Sequence, residues 1–133
     1  MRKNGFTLIE LLAVIIILAV IALIATPVVL NVVENAKKSA AESSMSGYAD
    51  SIKSKMYEYM FANDGAYPTD YTALSTWAGS HEGFSVSGEV PDCTGGSVTL
   101  TNGVITMTDC KVSIYSNTKL CSYANGKGSC AKD

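Results

Sequence analysis

The chain has 133 residues, enough for one domain, and a formal net charge of −2 from 10 basic and 12 acidic side chains. Hydrophobic residues make up 47% of it but crowd toward the N-terminus, so only about 70 residues outside any helical pattern remain to build a folded part. That excludes a large hydrophobic core and demands reinforcement by other means.

Arg2 and Lys3 precede a long apolar run, and no further basic residue follows until Lys37. Every residue from Leu11 to Ala25 is apolar, and the twenty residues from Phe6 to Ala25 are broken only by Thr7 and Glu10. Twenty helical residues span roughly 30 Å, the thickness of a bilayer core. Basic residues on one side alone place the N-terminus in the cytoplasm and the remainder outside. Ala19, Ala22 and Ala25 fall three apart and form no A-x-A site, so a retained membrane helix is predicted rather than a removed secretory signal. Glu10 is the anomaly in this run. A carboxylate inside hydrocarbon costs on the order of a few kcal/mol, less near the interface.

The helical pattern continues to about Asn63. Val29, Val33, Ala36 and Ala40 recur at three and four, and after Gly47 the stripe resumes with Ala49, Ile52, Met56 and Met60. Glu34 with Lys38, and Lys38 with Glu42, are helical i,i+4 charge pairs. The prediction is one helix from about Phe6 to Asn63. Residues 6–27 are its membrane-spanning part, suited to lipid or to other helices, and residues 28–63 are amphipathic and belong to a head. Gly65 is placed to take a left-handed cap. Pro27 removes a backbone donor and is expected to bend the helix, while Gly47 is a softer point or a close-packing site.

Residues 64–133 read as a connector followed by a β-rich head. Thr69 or Asp70 caps a short helix through Trp77, ended by Gly79. "SVTLTNGVITMT" is a hairpin closed by a type I′ turn at Asn102-Gly103. Leu100 then opposes Ile105 and Val98 opposes Met107, so all four share one apolar face and Val104 points away. A third strand is expected at "KVSIYS", with Val112 and Ile114 inward, and a second hairpin around Asn125-Gly126.

The four cysteines all lie in the last third, on the exported side, and an even number there reads as two disulfides. If Asn125-Gly126 is a two-residue loop, Cys121 faces Cys130 at a non-hydrogen-bonded pair. Their Cα atoms would then stand about 4.5 Å apart, within disulfide range. Three pairings exist. The favoured one joins Cys121 to Cys130 and Cys93 to Cys110, whose two-residue offset from the first hairpin Gly95-Gly96 could absorb as a bulge.

No constellation of catalytic or metal-ligating residues stands out. His81 lies near Ser80 and Glu82 without an elbow motif, and no ligand cluster has metal spacing. Calcium would require Asp64, Asp70, Asp92 and Asp109 to converge. The tyrosines read as core and interface packing. The segment Lys111–Asp133 carries four lysines against one aspartate, which suits an anionic surface such as nucleic acid but is equally a solvated sheet edge, the reading taken. The expectation is therefore a non-enzymatic protein with no metal, cofactor or small-molecule substrate.

"GFTLIELLAVIIILAVIALIATP", with its short basic leader, resembles the processing and assembly segment of type IV prepilins. Related segments occur in pseudopilins of type II secretion and competence systems. The resemblance covers about Met1 to Met60 and implies an α+β pilin fold, a long N-terminal helix packed on a small antiparallel sheet. It implies a leader over residues 1–5, cleavage after Gly5 by a membrane-embedded prepilin peptidase, and N-methylation of the new terminus, Phe6. It makes Glu10 the assembly residue, which meets the amine of a neighbouring subunit, and Pro27 the helix-bending proline. The implied function is a filament subunit serving adhesion, surface motility, aggregation or DNA uptake. Its partners would be further copies of itself, the peptidase, an inner-membrane platform protein and an assembly ATPase. It would reside in the membrane first and at the cell surface afterwards. Alternatives are a pseudopilin, or a membrane-anchored minor pilin or tip adhesin.

Overall fold

The computed structural model describes residues 5–86 and 88–131, and the backbone alone of Asn117 and Thr118. Of the expected leader, Gly5 is described and residues 1–4 lie outside the described residues. The elements are α1 (Leu8–Ala62), α2 (Tyr71–Gly79), β1 (Ser97–Thr101), β2 (Val104–Val112), β3 (Ser116–Ala124) and β4 (Lys127–Cys130). The strands form one antiparallel sheet in the order β1-β2-β3-β4. The fold is α+β, a long N-terminal helix packed on a small antiparallel sheet. The chain divides into two compact units, Met1–Ala36 and Lys37–Asp133, and α1 contributes to both.

In the first unit α1 is long and apolar enough to cross a membrane. Its large apolar side chains are exposed from Phe6 to Val33. Val29 and Val33, which the periodicity assigned to the packed stripe, are among them, so that stripe begins later than expected. An apolar stripe signals a face that needs cover, not that the same chain supplies it.

In the second unit α1 buries Ala41, Met45, Tyr48, Ala49, Ile52 and Met56 at helical spacing. These residues meet Leu100, Ile105, Met107, Val112 and Tyr123 of the sheet and Leu74 of α2 in one core. The helix ends as its sequence requires: the Gly65 amide donates to the Met60 carbonyl at 2.7 Å with Gly65 at φ 82°. Asp70 caps α2 by accepting from the Ala73 amide at 2.7 Å. The approach of β4 to α1 is close. A Cβ added at Gly128 would stand 2.6 Å from the Glu42 carbonyl oxygen. Just beyond, the Glu42 carboxylate accepts from the Cys130 amide at 3.2 Å. Lys55, buried on the same helix, donates to Glu58 at 2.7 Å and to the His81 carbonyl at 2.6 Å, tying the segment after α2 to α1.

Both hairpins have the expected register. Leu100 faces Ile105 and Val98 faces Met107 across Asn102-Gly103. Cys121 faces Cys130 across Asn125-Gly126. All four turn residues have positive φ, as a type I′ turn requires. The third strand differs from the expectation. Val112 closes β2 and is buried, whereas Ile114 sits in the turn to β3 and is 48% exposed. The cause is Glu89, whose carboxylate accepts from the Ser113 amide at 2.9 Å, the Ser113 hydroxyl and the Ile114 amide at 3.0 Å. A turn anchored this way breaks "KVSIYS" in its middle, and the alternation there was two strand ends read as one strand.

Beyond β1 the register jumps by two. Ser97 pairs with Thr108, but the next bridge joins Asp92 to Lys111. Gly96 permits the jump, because a side chain there would collide with the Thr108 and Asp109 backbone. The disulfides are Cys93–Cys110 and Cys121–Cys130, with Cα atoms 4.1 and 4.0 Å apart. Closing such short loops stabilises a fold by about 3 kcal/mol each.

Tyr71, Glu89 and Asp92 in this unit have displaced titrations. Burial, reinforced by the Tyr48 hydroxyl 2.6 Å away, pushes Tyr71 up. The Ser113 hydroxyl, then the Ile114 and Ser113 amides, hold Glu89 below its ordinary value. The Thr94 hydroxyl and amide lower Asp92 in the same way. A lowered carboxylate contributes stability above its unfolded pKa and loses it as pH falls through the folded one. Thermal stability followed by circular dichroism is therefore expected to hold from neutrality down to near 4.5, the ordinary value for Glu89, and to decline below it. Glu89→Gln should flatten that decline. Gly128→Ala should lower stability by about 1–3 kcal/mol through overpacking, read from chemical denaturation of the full chain in detergent.

Candidate processing and assembly segment

The start of α1 is written in Thr7-Leu8-Ile9-Glu10, a threonine followed three residues later by a glutamate. The Thr7 hydroxyl accepts from the Glu10 amide at 3.3 Å, and the Glu10 carboxylate accepts from the Thr7 amide at 3.1 Å. The first backbone bond of the helix follows, from the Leu11 amide to the Thr7 carbonyl at 3.2 Å. This reciprocal pair is a capping box. It satisfies two amides that the first turn would otherwise leave without partners. It also sets the carboxylate against the positive end of the helix dipole.

Gly5 and Phe6 precede the box and are not helical. Nothing lies within 4 Å of where a Gly5 side chain would stand, and Phe6 is 91% exposed. The Gly5–Phe6 peptide bond is thus outside the helix and open. Phe6 and Glu10 share a shallow apolar depression with Leu11 and Val14, so the structure brings these two candidate residues together. Pro27 lies well along the helix, apart from them. Its missing amide leaves the Leu23 carbonyl without its usual helical donor, and next to it the Thr26 hydroxyl donates to the Ala22 carbonyl at 2.6 Å. The sequence reading passed over Thr7, although its spacing to Glu10 carries the signal.

The other candidates have structural occupations. His81 stacks on Trp77 with ring centroids 3.9 Å apart, and its Nδ1 lies 2.8 Å from the Trp77 carbonyl. Asp70 caps α2 and Asp92 holds Thr94. Among the described residues, no three His, Cys, Asp or Glu side chains converge as a metal site would need. Lys119 lies over the Tyr115 ring at 4.9 Å, and Lys111 and Lys127 are exposed.

Residues 1–26 match the family described as the prokaryotic N-terminal methylation motif. The chain carries the type IV prepilin signature. That signature spans the open Gly5–Phe6 bond and the whole capping box, and it ends one residue short of Pro27. No curated protein and no solved structure matches the chain. The prepilin signature and the exposed apolar helix together fit membrane anchoring of a pilin- or pseudopilin-type protein.

Removing the Thr7 hydroxyl should cost about 1 kcal/mol at the helix start. Thr7→Val is expected to speed amide hydrogen exchange at Glu10 and Leu11 about fivefold in detergent micelles while leaving exchange in the second unit unchanged.

Proposed function

We propose that this chain is a type IV pilin subunit, made as a membrane-anchored precursor and polymerised into a surface filament. The observation that carries this reading is the prepilin signature lying over an open Gly5–Phe6 bond and over Glu10, the one acid in the apolar run. A prepilin peptidase cuts after Gly5, and Phe6 becomes the methylated N-terminus. Cleavage removes Arg2 and Lys3, leaving eight basic and twelve acidic side chains, and with them the positive anchor at the cytoplasmic face.

The new amine stays cationic, because methylation preserves its protonation. Inside a low-dielectric bundle of helices an ammonium and a carboxylate attract far more strongly than in water. Glu10 unpaired in lipid is costly, whereas hydrogen-bonded and paired with an amine it is not. The exposed apolar surface from Phe6 to Val33 suits lipid before assembly and other copies of the same helix afterwards. Residues 6–27 would form the filament core and 28–63 would join it to the head, with a platform protein and an assembly ATPase driving subunit addition. The second unit, closed by two disulfides, is suited to an oxidising exterior.

Mass spectrometry of the assembled protein is expected to show a chain beginning at N-methylated Phe6; an intact Met1 terminus would overturn the reading. Glu10→Ala should abolish incorporation into filaments while the disulfide-closed head stays folded, and normal filaments from that variant would remove the assembly role. The composition of purified surface filaments distinguishes the pilin from a pseudopilin: this chain should be their main component.

A further inference from the structure

The second unit holds two Asn-Gly pairs, Asn102-Gly103 and Asn125-Gly126, and each closes a two-residue hairpin loop. The backbones match closely, with φ 50° and 81° in the first turn and 54° and 78° in the second. In each, the ladder closes on the flanking pair, Thr101 with Val104 and Ala124 with Lys127. The bond of a β-turn runs from the first carbonyl to the fourth amide, so the glycine amide in third place takes no part in it. With no Cβ beside it, that nitrogen is also the backbone nitrogen least hindered from meeting the side chain of the preceding asparagine.

The two turns differ in what covers this nitrogen. At Gly126 nothing lies within 4 Å of where a Cβ would stand, and Ala124, Asn125, Gly126 and Lys127 are all exposed. At Gly103 the same position is 2.9 Å from Cε1 and 3.4 Å from Cζ of Tyr67. The ring of a residue from the connector after α1 therefore lies on the first turn.

We propose that Asn125 is a site of spontaneous covalent modification through the Gly126 nitrogen, and that Tyr67 protects Asn102 from the same reaction. The Gly126 amide gives up its proton and its nitrogen attacks Cγ of Asn125. The bond from nitrogen to Cγ forms, the bond from Cγ to Nδ2 breaks, and Nδ2 leaves as ammonia with the proton that the amide released. One water then opens the resulting succinimide ring. Opening at Cγ gives aspartate. Opening at the main-chain carbonyl gives isoaspartate, whose backbone runs through the side chain and is one carbon longer. Either product places a new carboxylate at the hairpin tip, beside a groove lined by Glu42, Asp50 and Lys127. The Cys121–Cys130 disulfide keeps the two strands joined after the loop has changed.

The test ages the full chain in dodecylphosphocholine micelles at mildly alkaline pH, and peptide mapping by mass spectrometry follows each asparagine separately. Asn125 should convert about tenfold faster than Asn102. Tyr67→Ala should raise the Asn102 rate severalfold and leave the Asn125 rate unchanged, whereas Tyr67→Phe, which keeps the ring, should match the wild type. In guanidinium with the disulfides reduced, both sites should convert at similar rates, because each is then only an Asn-Gly pair. Equal rates in the folded chain, or faster conversion of Asn102, would overturn the proposal. An Asn102 rate unmoved by Tyr67→Ala would remove the protective role of Tyr67. A difference that persists undiminished in the denatured chain would show that the fold does not select the site. The wild-type comparison stands even where a Tyr67 variant folds poorly.

Discussion

The second unit depends on how closely β4 approaches α1. Gly128 lets the strand settle against the Glu42 backbone, and the Glu42 carboxylate takes up the Cys130 amide one step further along. That contact brings the inner face of the sheet down on Met45, Ile52 and Met56, which lie on the one stripe of α1 its own chain covers. Any side chain at position 128 would lift the strand and thin the core beneath it. With so few residues available, the unit has little hydrophobic burial to spare, and the two disulfides supply what a larger core would.

The first unit follows the opposite rule, since among the described residues nothing covers its large apolar side chains from Phe6 to Val33. Such a surface is stable only where water is absent, in lipid or among like helices. Glu10 is the exception in that surface, and the capping box shows how the chain tolerates it. The carboxylate is spent on an amide that the helix start must satisfy in any case, and it lies where the helix dipole favours negative charge. Glu10 thus serves the local geometry of the helix end, and under the proposed function it would also serve the electrostatics of an assembly.

Much of this was legible in the sequence, for reasons that differ by element. The helix was visible because its periodicity and its stop at Gly65 are local properties. The hairpins were visible because Asn-Gly fixes both turn type and register, and register alone puts Cys121 opposite Cys130. The end of the third strand was not, because Glu89, 24 residues before Ser113, decides it. No local pattern reports a carboxylate arriving from so far away. The packed stripe of α1 was misplaced at Val29 and Val33 because periodicity cannot say which chain, or which solvent, lies opposite. Within the candidate processing segment, Glu10 stood out as the one acid in an apolar run, and Gly5 and Phe6 through resemblance. Thr7 did not, although the spacing of a capping box was present to be read.

The order of the strands bears on how the head comes into being. Each strand pairs with its immediate neighbour in the chain, so the sheet is a meander whose hairpins close over short loops. Local pairings of this kind form quickly, with hairpins closing in about 1–10 μs, whereas disulfides form over seconds or longer. The hairpins therefore bring Cys121 to Cys130, and the bulged extension brings Cys93 to Cys110, before oxidation begins. A head that emerges on the far side of a membrane while its helix is still anchored would sort its own cysteines, with strand pairing acting as the template and the oxidant merely sealing what is already adjacent.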